Sequence, residues 1–491
     1  MLKNLRFMKE NSLTTGLPTA VLCMSLLCLF VGLPQETIEV LSTFSNAFIG
    51  YFNTSLILLC SAFTVIAIAI AISPLGRMVL GGETAMPAYH FSTWLAMLFT
   101  AGMGSGLVFS GIAEPVFHTS FYPRIGDYEA PEMTGLALTY FHWGVHAWGI
   151  YVIAGLAMGW FAFNRQRQMQ ISACFTDQTK PKPWFSLLNM SAVIAIMFGV
   201  AGTLANSIAL IQSGVEKLGD VELTLTFRLA LLFVIALIFT LSSLRGIQQG
   251  IAQLSKFNLY LFVAILSVVI WIADPLEVLK ISIQSSAEYI SMLPTLSTTI
   301  SPETETWSNN WSVNYFIWWI AWAPFVGTFI AIISRGRTIR AFILWGIFMP
   351  TLASILWFSA FAAGVLKLPD TVNMSQVIAQ DYTQGLFVFF ADMPSGVWLI
   401  GASLLLLMTF VITSADSACY VIDTLLNTQR QRSYLWGAIL VTIAGVLLIN
   451  NNIDLNRQVA IVGAFPYIVV LLLQMLFCIK DMYQAYRQPN E

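Results

Sequence analysis

The chain has 491 residues, a formal net charge of −2 and a mean hydropathy of +0.76, with 57% hydrophobic and only 10% charged residues. A soluble domain carries about 25% charged residues, so most of this surface belongs in lipid, and the absence of a basic cluster argues against nucleic acid as a partner. The six cysteines are scattered without a CxxC pair and the four histidines lack HExxH-type spacing, which gives neither a disulfide frame nor a metal motif.

The N-terminal run Met1–Arg6 is basic, and no small-residue cleavage site follows. The first apolar run therefore reads as a retained anchor rather than a signal peptide. At ~20 apolar residues per helix, the chain divides into about twelve spans. They centre near Leu26, Leu59, Leu98, Tyr151, Ile196, Val234, Val263, Ile320, Ile355, Leu405, Leu440 and Val470. An even number puts both termini on one side. Of the 23 Lys and Arg, six fall on the other side: Arg124, Lys217, Arg228, Lys280, Lys367 and Arg457. The excess on the side of the termini makes that side cytoplasmic.

The third span contains Gly102, Gly104 and Gly106 at alternate positions. Each glycine costs about 1 kcal/mol relative to Ala in a helix interior. Such a run serves either to open the backbone beside a cavity or to pack helices closely through small residues. Glu114-Pro115 reads as the helix stop of this span, near the outer surface. The fourth span carries Trp143, Trp148 and Tyr151 within an arc of about 140° on a continuous helix. His142 and His146 stand one turn apart, a spacing suited to a metal, to hydrogen bonding or to pH sensing, and no third ligand accompanies them. The fifth span is small and polar at its centre, Gly202 to Ser207, without Lys or Arg. Pro275 to Leu296 is amphipathic, with Leu276, Leu279, Ile283 and Ile290, and reads as a helix along the outer surface or an ordinary loop helix.

The eighth span carries the densest aromatic signal. Trp318, Trp319, Trp322 and Phe325 fall within roughly 120° of one helix face. Indole marks the membrane–water boundary when it sits near a helix end. This cluster is instead about four turns from the arginines of Ser334–Arg340, nearer mid-span. There an indole face suits a cation that has no hydrogen to donate. The tenth span holds Thr413 and Ser414 beside Asp416 and Ser417. Adjacent hydroxyls are either ligands for a small cation or back-bonded to the preceding turn. Asp416 is an intramembrane acid, open to a functional or a local hydrogen-bonding role. A membrane-embedded hydrolase would need a GxSxG elbow, and the chain has none.

These residues together resemble the betaine/carnitine/choline transporter (BCCT) family over nearly the whole chain. Trp318 to Phe342 is similar to the family pattern WWxxWxPFVGxFIAxISRGRTIRxF almost residue for residue. Three further motifs agree in order: Gly102–Gly106 with Ala113-Glu114-Pro115, His142-Trp143 through Trp148 to Tyr151, and Thr413–Ser417. The resemblance implies an all-α polytopic membrane protein of about twelve helices, with two inverted five-helix repeats after two extra helices. The implied divisions are 1–80, a first repeat at 85–275, an outer helix and loop at 276–311, a second repeat at 312–480 and a tail at 481–491. Sites in such folds lie near the midplane, where broken helices meet.

The resemblance further implies import of a quaternary-ammonium or related onium zwitterion by sodium symport, with a sodium-independent exchanger of the same family as the alternative. The implied box is Trp143, Trp148, Tyr151 and Trp319. Trp318, Trp322, Phe325 and Met103 line the adjacent path. The implied sodium ligands are the backbone carbonyls of Ala101 (or Thr100), Met103 and Phe410, with the hydroxyls of Thr413 and Ser414. Departures from the family pattern at Val200 and Gly202–Asn206 bear on a second sodium site, and Ala147 and Ser105 on substrate preference. The resemblance also implies a bacterial inner membrane location, cytoplasmic termini and a homotrimer. The short stretch after Cys478 speaks against osmotic activation through a long charged tail.

Overall fold

The computed structural model describes residues 15–123, 131–176, 184–245, 247–369, 373–426, 433–450 and 453–488. The basic N-terminal run and Arg124 lie outside these residues. Within them the fold is helical, joined by a single isolated β-bridge. Helices α1 (Leu17–Gly32) and α2 (Pro34–Ile72) each begin with a proline in the first turn, where a missing N–H costs nothing. Next come α3 (Phe91–Gly102) and α4 (Ser105–Phe121), an apolar helix pair bent by 65° at a two-residue break. Helices α5 (Pro131–Trp143) and α6 (Val145–Gly159) form the following span. Then follow α7 (Trp184–Gly219), α8 (Leu225–Arg245), α9 (Ile247–Ala273) and α10 (Pro275–Leu296). The second half runs through α11 (Asn314–Ile333), α12 (Ile339–Val365), the short α13 (Met374–Gln380) and α14 (Gly385–Ala391), α15 (Gly396–Leu426), α16 (Ser433–Asn450) and α17 (Ile453–Arg487).

Among the described residues, eight helices are long and apolar enough to cross a membrane, and nine with the bent pair counted as one span. Three shorter apolar helices, Leu17–Gly32, Leu225–Leu241 and Tyr434–Asn450, contain the centres read for the first, sixth and eleventh spans. These stretches, of 10–17 residues as described, are shorter than the other spans. The chain is an all-helical polytopic membrane protein.

Helix α11 is central, and it packs most extensively on α6. Their backbones touch at Gly155 and Gly327, where a Cβ on Gly155 would lie 2.9 Å from the Gly327 carbonyl oxygen. Small residues permit this approach in a membrane, where dispersion replaces the hydrophobic drive between helices. Helix α7 packs on α15 and α17. Helix α10 forms as its amphipathic pattern predicts. Leu276, Leu279, Ile283 and Ile290 are its exposed stripe, and the helix packs on α5 and α12. Helix α17 continues through residue 480 to Arg487.

The Ser334–Arg340 turn does more than end a span. Val79 and Thr338 pair in an antiparallel bridge, and Gly336 adopts φ +85°. Thr338 caps α12 by accepting from the Ala341 N–H at 3.2 Å. Arg337 donates to the Tyr89 carbonyl at 2.8 Å and lies 4.8 Å from the Trp94 ring centroid. Arg340 Nε donates to the Ala71 carbonyl at 2.7 Å. The basic turn thus ties the ends of α2, α3 and α11 together.

Candidate functional site

Four buried rings form a continuous edge-to-face series. Trp143 and Trp319 have centroids 5.0 Å apart at 77°, Tyr151 and Trp319 5.8 Å at 87°, and Trp148 and Tyr151 5.6 Å at 84°. Aromatic pairs favour this T-shaped geometry because ring edges are positive and faces negative. The helix that carries three of these rings is interrupted, which corrects the single-face reading. Gly144 has φ −98° and ψ −138° and separates α5 from α6. The phase of Trp143 therefore does not run on to Trp148 and Tyr151. The interruption also makes carbonyls available. That of His142 accepts from Trp319 Nε1 at 2.8 Å, and that of Trp143 accepts from Ser354 Oγ at 3.3 Å.

The glycine run breaks its span, as its composition predicts. Met103, at φ −96° and ψ 113°, leaves the helix between α3 and α4. The flanking glycines serve close approach. A Cβ on Gly102 would lie 2.5 Å from the Trp148 ring and 3.1 Å from that of Tyr151. A Cβ on Gly106 would lie 3.0 Å from the Trp143 ring. The break is thus pressed against the aromatic series. At Gly104 a Cβ would lie 3.8 Å from Ser414 Oγ and 3.9 Å from the Trp322 ring.

The structure does not gather all the aromatic positions of the eighth span. Trp322 and Phe325 form their own pair, 5.6 Å apart at 55°. Trp322 lies between Gly104 and Gly199 of α7, and its Nε1 makes no hydrogen bond. Trp318 is half-buried and faces Gly202 of α7, 3.6 Å from a Cβ built there. It belongs to neither group. Met103 is buried at the break, and Ala101 is half-buried beside it.

On α15, Phe410, Thr413 and Ser414 are buried. Thr413 Oγ1 donates to the Thr409 carbonyl at 2.7 Å, so the back-bonding alternative is realised there. The same oxygen accepts from Asn258 Nδ2 at 3.3 Å. Asn258 is fully buried on α9, and its Oδ1 makes no hydrogen bond. Sequence reasoning missed it, because nothing local connects it to Thr413. Ser414 faces Gly104, which precedes α4 and lies two residues past the end of α3. The last turn of a helix leaves carbonyls without helical donors, and Ala101 and Met103 stand at that end. Hydroxyl and carbonyl oxygens are the donor type that small alkali and alkaline-earth cations take.

Glu114 overturns its reading as a helix stop. Helix α4 runs on to Phe121, Pro115 lies inside it, and Glu114 is fully buried. The carboxylate is surrounded by donors. Trp143 Nε1 reaches Oε2 at 2.7 Å and the Tyr315 hydroxyl reaches it at 2.6 Å. His142 Nδ1 lies 2.6 Å and His118 Nε2 3.3 Å from Oε1. Glu114, His118 and His142 place one ligand atom each within 4.8 Å of one another. Both carboxylate oxygens already have partners there. The His142/His146 pair is split by the Gly144 interruption. His146 turns to Ser61 Oγ at 3.1 Å and Ser297 Oγ at 3.2 Å. A cleft of about 440 Å³ lies further along α4, lined by Pro115, Thr119, Glu132, Leu366 and Met374 among others. None of the four rings lines it.

A chain made almost wholly of membrane helix, with one span broken against a buried aromatic cluster, has the build of a membrane transporter. The comparisons agree. Residues 15–487 match the family model described as BCCT, betaine/carnitine/choline family transporter, and the chain belongs to that family. It is 32% identical to a glycine betaine transporter of Acinetobacter baylyi, over 93% of this chain and 71% of that one. It is 31% identical to the glycine betaine transporter OpuD of Bacillus subtilis, over 92% and 90%. It is 32% identical to an ectoine/hydroxyectoine transporter of Virgibacillus pantothenticus, over 89% and 89%. The chain is a transporter and not an enzyme.

Proposed function

We propose that this protein imports a quaternary-ammonium or related onium zwitterion by sodium symport with alternating access. The observation that carries the reading is the series Trp143, Trp319, Tyr151 and Trp148, pressed onto the Gly102–Gly106 break. A quaternary ammonium has no N–H to satisfy, and an aromatic face replaces its hydration at about 0.5–2 kcal/mol per ring. The four rings pack edge to face on one another, and in this reading binding turns them apart. Trp322 and Phe325 form the next surface along the path. Two of the relatives, the glycine betaine transporter of Bacillus subtilis and the ectoine/hydroxyectoine transporter of Virgibacillus pantothenticus, are named for substrates of this class.

Sodium is held, in this reading, between the break and α15. Its ligands are the carbonyls of Ala101, Met103 and Phe410 and the hydroxyls of Thr413 and Ser414. Back-bonding at Thr413 is compatible with that role. The hydroxyl gives its proton to the Thr409 carbonyl and one lone pair to Asn258 Nδ2, and one lone pair is left for a cation. The architecture proposed with it is twelve spans in a bacterial inner membrane, two inverted repeats at 85–275 and 312–480, cytoplasmic termini and a homotrimer.

The test is uptake into proteoliposomes of labelled glycine betaine, choline, carnitine, ectoine and dimethylsulfoniopropionate. Each is run with an inward sodium gradient, with equal sodium and with potassium alone. Accumulation of one onium compound that needs the gradient is expected. Flux that occurs only against a related compound preloaded inside identifies an exchanger. No flux of any onium compound in folded protein overturns the substrate class.

A further inference from the structure

Two of the four rings end on one polar cluster. Trp143 Nε1 donates to Glu114 Oε2 at 2.7 Å. Trp319 Nε1 donates to the carbonyl of His142 at 2.8 Å, and His142 Nδ1 lies 2.6 Å from Glu114 Oε1. The hydroxyl of Tyr315 donates to Glu114 at 2.6 Å. Its ring lies parallel to His142 at 4.8 Å and 6.1 Å from Trp319. One carboxylate therefore holds the first indole directly and the second through the residue it orients.

Chemistry fixes the proton on His118. An indole N–H only donates, and Trp307 Nε1 donates to His118 Nδ1 at 3.3 Å. His118 Nδ1 is then the accepting nitrogen, and its Nε2–H points at Glu114 Oε1, 3.3 Å away. Trp143 and Tyr315 donate to the other oxygen. Both oxygens thus accept, as those of a carboxylate do. An amide at this position presents an NH₂ to donors on one side. A buried mismatch of that kind is costly, and the cluster relieves it by moving the groups it holds.

We propose that Glu114 is a positioning residue of the onium pocket, setting the angle between the Trp143 and Trp319 faces and with it the size of head group they enclose. This rests on the aromatic series being the substrate site. A trimethylammonium head presents methyl groups on every side and needs both faces. A dimethylammonium head is smaller and carries an N–H.

The experiment measures dissociation constants, by tryptophan fluorescence on purified protein in sodium, for two matched pairs. These are glycine betaine with dimethylglycine, and choline with dimethylaminoethanol. Glu114→Gln is expected to lower the preference for the trimethyl member at least fivefold. Tyr315→Phe, a milder change should Glu114→Gln not fold, is expected to lower it at least twofold. A purely structural role would reduce the active fraction and leave this ratio unchanged. An unchanged ratio in the folded variants, with Trp319→Leu binding neither member, overturns the positioning role and leaves the substrate site standing. Native-like binding by Trp319→Leu overturns both.

Discussion

Gly102 and Gly104 stand two positions apart in one break, and a methyl group means something different at each. At Gly102 it would meet the Trp148 ring at 2.5 Å; at Gly104 it would find ordinary contacts of 3.8 and 3.9 Å. Gly104 has extended backbone, φ −116°, which any residue adopts. Gly102→Ala is therefore expected to weaken substrate binding at least tenfold, and Gly104→Ala less than threefold, in titrations of folded protein. Trp319→Leu removes the ring shared by two contacts of the series and is expected to weaken onium binding more than tenfold. Residue identity showed part of this in the sequence. The tryptophans and the glycine run announced an aromatic cluster and the break. Glu114 was hidden, because Glu-Pro reads locally as a stop, while a proline inside a membrane helix is tolerated when neighbours satisfy the backbone. Its donor Tyr315 lies 201 residues away, and no local pattern joins them. Trp318 shares an arc with Trp319 yet faces Gly202, because a helical arc says which residues share a face and nothing about which neighbour each meets.

Breaks and turns decide the site at the level of elements. The Gly102–Gly106 break was legible because three glycines together defeat helix propensity. The Gly144 interruption was not, since a single glycine among aromatics is ordinary in a span. It is nonetheless the reason that His142 and His146, neighbours on an unbroken helix, serve separate clusters. Between the break and α15, Thr413→Ala combined with Ser414→Ala is expected to raise the sodium concentration for half-maximal uptake at least tenfold. Unchanged sodium dependence would remove this region from ion binding. At the Ser334–Arg340 turn, Gly336 has φ +85°, and a Cβ there would lie 2.3 Å from the Met86 carbonyl carbon. Gly336→Ala is expected to lower the melting temperature in detergent. Native stability would show that the turn does not tie α2, α3 and α11.

For the whole molecule, class was the most legible property, since a charged fraction of 10% leaves few alternatives to a bilayer. The span count was less so. Helices such as Leu17–Gly32 are apolar but short, and sequence centres say nothing of length. Sidedness is testable on exposed positions. Lys280 on α10 and Arg77 before α3 are on opposite sides in the proposed topology. Single cysteines there, on a background lacking Cys28 and the buried thiols, are expected to react with an impermeant maleimide from outside and from inside, respectively. Reaction of both from the same face would reject twelve spans. The contact between Gly102 and Trp148 reaches beyond this one chain. Backbone and ring share a volume that neither can enlarge alone, so the two positions are bound to vary together. A relative with alanine at the position of Gly102 is expected to carry a smaller ring, or none, at that of Trp148. The head group it accepts would then be reset by two substitutions that are each harmful when made singly.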